Sequence, residues 1–121
     1  MRVGVFGGTF DPVHNGHVLP VEVAAMKFQL RRVLYLPARL SPHKQDAPTD
    51  PRHRVAMLAL ALAGRPDWTI DLEELDREPP SYTVDTLQSI AGRHPGDELW
   101  LLMGVVLVAR IRLLRHSAAP S

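Results

Sequence analysis

Apolar residues fall into short blocks of two kinds, and the two kinds alternate along the chain. RVGVF (2–6), RVLYLPA (32–38) and ELWLLMG (98–104) have the length and the Val, Leu and aromatic content of buried strands. WTIDLEEL (68–75) reads as a weaker third strand between the last two of these. The intervening stretches have helical composition. One runs from about Gly16 to Leu30, and one over RHRVAMLALALAG (52–64) stops at Gly64 as a C-capping glycine would. Another runs from about Thr83 to Ala91 and is ended by Gly92. Strands alternating with helices over short loops predict βαβ units and a parallel sheet, hence an α/β fold. The fourth strand is apolar throughout, which predicts cover on both faces. Trp68 and Trp100 fall in predicted strands and are expected in the core. Arg52 and Arg54 open the second helix and are expected in surface or structural ion pairs.

Composition narrows this picture. The 121 residues suffice for one domain with a genuine core, and 45% apolar against 22% charged residues is globular rather than disordered. There is no internal repeat or low-complexity segment, and the 11 prolines sit mostly in loops. A net charge of +1 gives no global field toward nucleic acid or an anionic membrane. Cysteine is absent, which excludes a disulfide framework and thiol catalysis and fits a reducing compartment. The longest apolar run, Leu99 to Ala109, has 11 residues against the roughly 20 needed to span a bilayer, and no signal peptide is visible. The expectation is a soluble, cytoplasmic domain.

The chemistry concentrates in VFGGTFDPVHNGHV (5–18), directly behind the first strand. In an open parallel sheet, ligands bind beyond the carboxyl ends of the strands, where helix N-termini point. Gly7 and Gly8 allow a sharp turn and close backbone approach, and the following helix start is an anion site. Pro20 is tolerated only near a helix start, which predicts His17 in the first helical turn. His14 and His17, three apart, then converge on the place of a phosphate, where imidazoles can donate to phosphoryl oxygens. No Gly-Lys-Ser/Thr follows, so this is not a Walker A loop, and the Gly-x-Gly-x-x-Gly of dinucleotide folds is absent. A metal site built from Asp11, His14 and His17 would leave the glycines without a role. Histidines that merely cap the helix are the bland alternative.

The string GGTFDPVHNGH resembles the signature of the nucleotidyltransferase superfamily that uses a His-x-Gly-His motif, here His14-Asn15-Gly16-His17. SPHK (41–44), PPSYTVDTL (79–87) and LWLLMG (99–104) narrow the resemblance to bacterial nicotinate-nucleotide adenylyltransferases, in the right order from residue 1 to Gly104. The resemblance implies a Rossmann-like doubly wound parallel sheet. It implies transfer of AMP from ATP to nicotinate mononucleotide, giving nicotinate adenine dinucleotide and pyrophosphate in NAD biosynthesis. Mg²⁺ is implied as the companion of ATP. Carried over by position, Gly7, Gly8, Thr9 and Phe10 hold phosphates, and His14 and His17 bind the reacting phosphoryl groups. His43 and Lys44 lie near the mononucleotide and the triphosphate, Thr83 near the nicotinate ring, and Gly104 closes the fourth strand. Thr83 reads equally well as a helix N-cap, and Lys44 as a solvated charge.

After Gly104 the chain departs from that pattern. Val106 stands where the resemblance implies an aspartate, and VVLVARIRLLRHSAAPS (105–121) holds no counterpart of the later phosphate-binding motif. Residues 1–104 are thus expected to form the N-terminal part of the nucleotidyltransferase domain, incomplete at its C-terminus, with 105–121 an atypical apolar and basic tail. Those 17 residues are too few for another parallel crossover. The fourth strand is then expected to show an open apolar edge and to self-associate there or through the tail. Reduced or absent turnover follows as an expectation. An adenylyltransferase with another acceptor, such as phosphopantetheine, and a non-catalytic nucleotide-binding fragment are the alternatives.

Overall fold

A computed structural model of the chain describes residues 1–8, 10, 13, 17–38, 50–76, 83–103 and 107–110. The elements are β1 (Arg2–Gly8), α1 (Leu19–Phe28), β2 (Arg32–Pro37), α2 (Pro51–Ala61) and β3 (Trp68–Ile70), then α3 (Glu73–Asp76), α4 (Thr83–Arg93), β4 (Glu98–Met103) and β5 (Leu107–Arg110). They form one sheet in the order β3-β2-β1-β4-β5. β1 pairs in parallel with β2 and β4, β2 pairs in parallel with β3, and β5 runs antiparallel to β4.

Alternation along the strands sorts the core into two layers. Phe6, Val33, Tyr35 and Leu102 face one side, where Val21 and Ala24 of α1, Leu58 of α2 and Leu62 just past its end cover them. Val3, Val5, Leu34, Leu36 and Leu99 face the other, against Leu87 and Ile90 of α4. The chain therefore winds outward from β1 to β3 over one face and returns over the other to place β4 beside β1. This is the doubly wound α/β sheet that the alternation and the resemblance predict, and β4 is covered on both faces as expected. The direction of winding reverses between β1 and β4, which makes their carboxyl ends the switch point where such sheets bind ligands.

Several boundaries differ from the sequence expectation, each for a local reason. β1 runs on through Gly7 and Gly8, which pair with Leu36 and Pro37, so the glycines finish the strand instead of forming the turn. α2 ends at Ala61, three residues before Gly64, whose φ of 85° supplies the left-handed reversal. α4 passes through Gly92 to Arg93, because His94 N–H still reaches the Ile90 carbonyl at 3.0 Å, and the left-handed residue is Gly96. β3 is only three residues long, and the short α3 follows within the stretch read as strand. Trp68 and Trp100 sit at the rim of the core, partly buried. The guanidinium carbon of Arg65 lies 5.1 Å from the Trp68 ring centroid and that of Arg2 lies 5.2 Å from that of Trp100.

The open edge expected on β4 is corrected by β5. Leu107–Arg110 pair back on Trp100–Met103, so the tail itself occupies the outer edge of β4. An antiparallel neighbour needs only a short connection, here residues 104–106, whereas a parallel one needs a crossover. Self-association through a bare β4 edge accordingly loses its premise. Among the described residues no helix is long and apolar enough to cross a membrane.

Two carboxylates tie down the ends of elements. The Asp50 side chain accepts the Arg52 N–H at 2.8 Å and caps α2, with Pro51 as its first helical residue. Hydrogen bonds from the Arg52 side chain, and then its backbone N–H, hold the Asp50 carboxyl down at about 2. The N-terminal ammonium of Met1, 2.9 Å from Asp97, lowers that carboxyl too. A depressed folded pKa stabilises the native state above the unfolded value of about 3.9, and that stability is lost as pH falls through the folded value. We predict that an acid titration followed by circular dichroism shows a loss of stability between about pH 4 and 2. Asp50→Asn keeps a competent cap and should flatten part of that dependence; an unchanged titration would contradict the assignment.

Candidate active site at the carboxyl end of β1

The end of β1 is fixed by a relay of hydrogen bonds from neighbouring elements. Ala38 N–H donates to the Gly8 carbonyl at 2.8 Å, just past the last residue of β2. The Ala38 carbonyl in turn accepts Arg54 Nη1 at 2.9 Å. Arg54 comes from the first turn of α2 and is 1% exposed, so it is a buried anchor instead of a surface charge. Arg52 does behave as expected, in an exposed pair with Asp50 at 3.0 Å.

Packing makes Gly8 a tight position for any side chain. A Cβ there would stand 3.2 Å from two carbons of the Phe10 ring. Among the described residues of this segment the left-handed one is Phe10, with φ of 48° and 1% exposure. That conformation costs a non-glycine residue about 1–2 kcal/mol, which burial of an aromatic ring offsets. The reversal expected of Gly7-Gly8 is thus carried out two residues later, by a side chain that anchors the loop in the core.

His17 lies just before α1, not in its first turn. Leu19 is the first helical residue, Pro20 is the second, and the N-cap is Val18, which makes no side-chain cap bond. Pro20 therefore tolerates a register in which His17 immediately precedes the helix. The His17 carbonyl accepts the Tyr35 hydroxyl at 2.6 Å, and the imidazole packs edge-on to Phe10 with centroids 5.0 Å apart at 85°. Phe6 and Tyr35 complete the ring cluster, 5.5 Å apart. Burial pushes the Tyr35 hydroxyl above its usual range, so it remains a proton donor at any working pH.

Of the residues singled out from the sequence, the structure brings Gly7, Gly8, Phe10 and His17 together at this end of the sheet. Thr83 opens α4, whose N-terminus faces the same rim because α4 leads back into a parallel strand. Thr9, Asp11, His14, His43, Lys44, Gly104 and Val106 lie outside the described residues. Tyr35 and Arg54 were not legible as site residues, since one reads as a strand aromatic and the other as a helix charge. Among the described residues no three His, Asp or Glu side chains are grouped to hold a metal. A shallow open depression lined by Met1, Arg2, Met26, Arg31 and Asp67 lies at the opposite, amino end of the sheet, away from this cluster.

The chain belongs to the cytidylyltransferase-like family, whose profile matches residues 5–115. Within it, the chain is similar to nicotinate-nucleotide adenylyltransferases. It is 41% identical over 108 residues to that enzyme of Bacillus subtilis, covering 88% of this chain and 57% of the relative. A Geobacillus kaustophilus relative is 44% identical over 108 residues and is covered over 50% of its length. The chain thus spans about half the length of the curated relatives it matches. The fold is also that of Plasmodium falciparum nicotinic acid mononucleotide adenylyltransferase, solved in complex with NaAD. The two superpose with a TM-score of 0.64 at 18% identity, over 83% of this chain and 50% of that one.

If the imidazole of His17 contacts phosphate, His17→Ala should weaken Mg–ATP binding about tenfold or more while thermal unfolding stays cooperative. Calorimetry on the folded variant checks this. Unchanged affinity would remove His17 from the site, and loss of the fold would reassign it to the structure of the α1 entry.

Proposed function

We propose that this site transfers AMP from ATP to nicotinate mononucleotide, releasing pyrophosphate and forming nicotinate adenine dinucleotide. The observation that carries the reading is the placement of Gly7, Gly8, Phe10 and His17 at the β1–β4 switch point, within a chain similar over most of its length to nicotinate-nucleotide adenylyltransferases. Backbone groups of residues 7–10 cradle the phosphates at the head of α1. His14 and His17 donate to phosphoryl oxygens, and His43 and Lys44 serve the mononucleotide and the triphosphate. Thr83, at the start of α4, contributes to the nicotinate side, and Gly104 belongs to the substrate-binding set.

In the reaction an oxygen of the mononucleotide phosphate attacks the α-phosphorus of ATP. The bond to the bridging oxygen breaks, and its electrons leave on pyrophosphate. Mg²⁺ enters as part of the Mg–ATP substrate. The protein's work is positioning and offset of charge on the leaving group, which needs no covalent nucleophile. This suits a chain that has no cysteine and whose candidate groups are imidazoles, backbone amides and a lysine. On this reading the protein works in the cytoplasm, where its nucleotide substrates are.

A second reading, a site that binds nucleotide with little turnover, is favoured by Val106, which stands two residues past Gly104 where the resemblance implies a carboxylate. Valine can neither accept a hydrogen bond nor help order Mg–ATP. The experiment supplies Mg–ATP and nicotinate mononucleotide and follows pyrophosphate release in the unaltered chain and in Val106→Asp. The proposal expects release that depends on nicotinate mononucleotide and exceeds that with phosphopantetheine, and it expects Val106→Asp to raise the rate by about tenfold or more. Binding of ATP without release in either form would select the second reading. Preference for phosphopantetheine would overturn the choice of acceptor.

A further inference from the structure

We infer that Tyr35 is a positioning residue that sets the imidazole of His17 against the phosphates through its hydrogen bond to the His17 carbonyl and its contact with the Phe10 ring. The inference rests on the nucleotide reading of the site, and it assigns a function to a residue in the middle of the sheet. Tyr35 is the most firmly held point near the histidine. Its backbone pairs with Phe6 on one side and Ile70 on the other, and its carbonyl accepts Asp71 N–H at 2.8 Å. Its ring is fully buried and packs on Phe6 at 5.5 Å, Phe10 at 5.6 Å and Trp68 at 6.0 Å.

His17 stands just before a helix whose N-cap residue, Val18, makes no side-chain cap hydrogen bond. The Tyr35 hydroxyl reaches across 18 positions of sequence to its carbonyl at 2.6 Å. A phenylalanine would fill the same core volume without a hydroxyl to desolvate, so the cost of burying that hydroxyl is offset by this bond. The ring of Phe10 closes the arrangement, since it touches both Tyr35 and the imidazole. A strand thus transmits its rigidity to the one described histidine of the motif, in the way that supporting hydrogen bonds orient reacting groups.

The test is a double-mutant cycle on the full chain, reading Mg–ATP affinity by calorimetry. Tyr35→Phe should unfold cooperatively and bind Mg–ATP about five- to tenfold more weakly. In a His17→Ala background the same substitution should change affinity less than about twofold, because the group it positions is gone. A lowered melting temperature with unchanged affinity would overturn the proposal, as would an equal loss in both backgrounds. If the unaltered chain binds no ATP, the nucleotide reading itself fails, and the His17 ring signals in NMR decide the positioning role separately. One sharp set that becomes exchange-broadened in Tyr35→Phe supports it; an unchanged set overturns it.

Discussion

The parallel pairing of β1 with β2 on one edge and β4 on the other is the constraint on which the rest of the molecule depends. Val3 and Val5 are buried against α4, while Phe6 is buried against α1 and α2, so a slip of β1 by one residue would turn its apolar set to the wrong face. That register brings Gly7 and Gly8 out at the switch point, next to the first residue past β2 and joined through it to the first turn of α2. The Ala38–Gly8 and Arg54–Ala38 hydrogen bonds then tie the ends of β1 and β2 to the first turn of α2.

Order at this end is supplied by aromatic packing as much as by backbone bonds. Phe6, Phe10, Tyr35 and His17 form a continuous ring cluster that joins β1, the loop, β2 and the entry to α1. It explains why a phenylalanine is held at φ of 48° next to a glycine. The glycine removes the Cβ that the ring would strike, and the ring takes the left-handed strain in exchange for burial. Phosphoryl-type transfer is carried mainly by geometry, so a loop pinned from the core is the physical counterpart of the chemistry proposed for it.

Much of this was legible in the sequence. The alternation of apolar runs and helical stretches yielded β1, β2, β4 and the three longer helices, because each is long enough to impose its own period. The position of the candidate site followed from Gly7-Gly8 and the two histidines behind a first strand. What stayed hidden depended on contacts distant in sequence. The role of Tyr35 needs its hydroxyl to meet residue 17, and the burial of Arg54 needs the carbonyl of Ala38. β5 was missed because an antiparallel return over three residues leaves no signal except the apolar run already assigned to the tail. Boundary differences of two or three residues, such as His17 preceding α1 and α4 passing through Gly92, turn on caps, where local preferences are weakest.

The central claim is that nucleotide phosphates are held at the carboxyl end of β1, at the head of α1. Backbone amide NMR during titration with Mg–ATP tests it most directly. The account predicts saturable shifts concentrated at Gly7, Gly8, Phe10, His17 and Leu19, with the amides of Arg2, Arg31 and Asp67 at the opposite end unchanged. Shifts confined to that amino-end rim, or spread evenly over the surface, would contradict it.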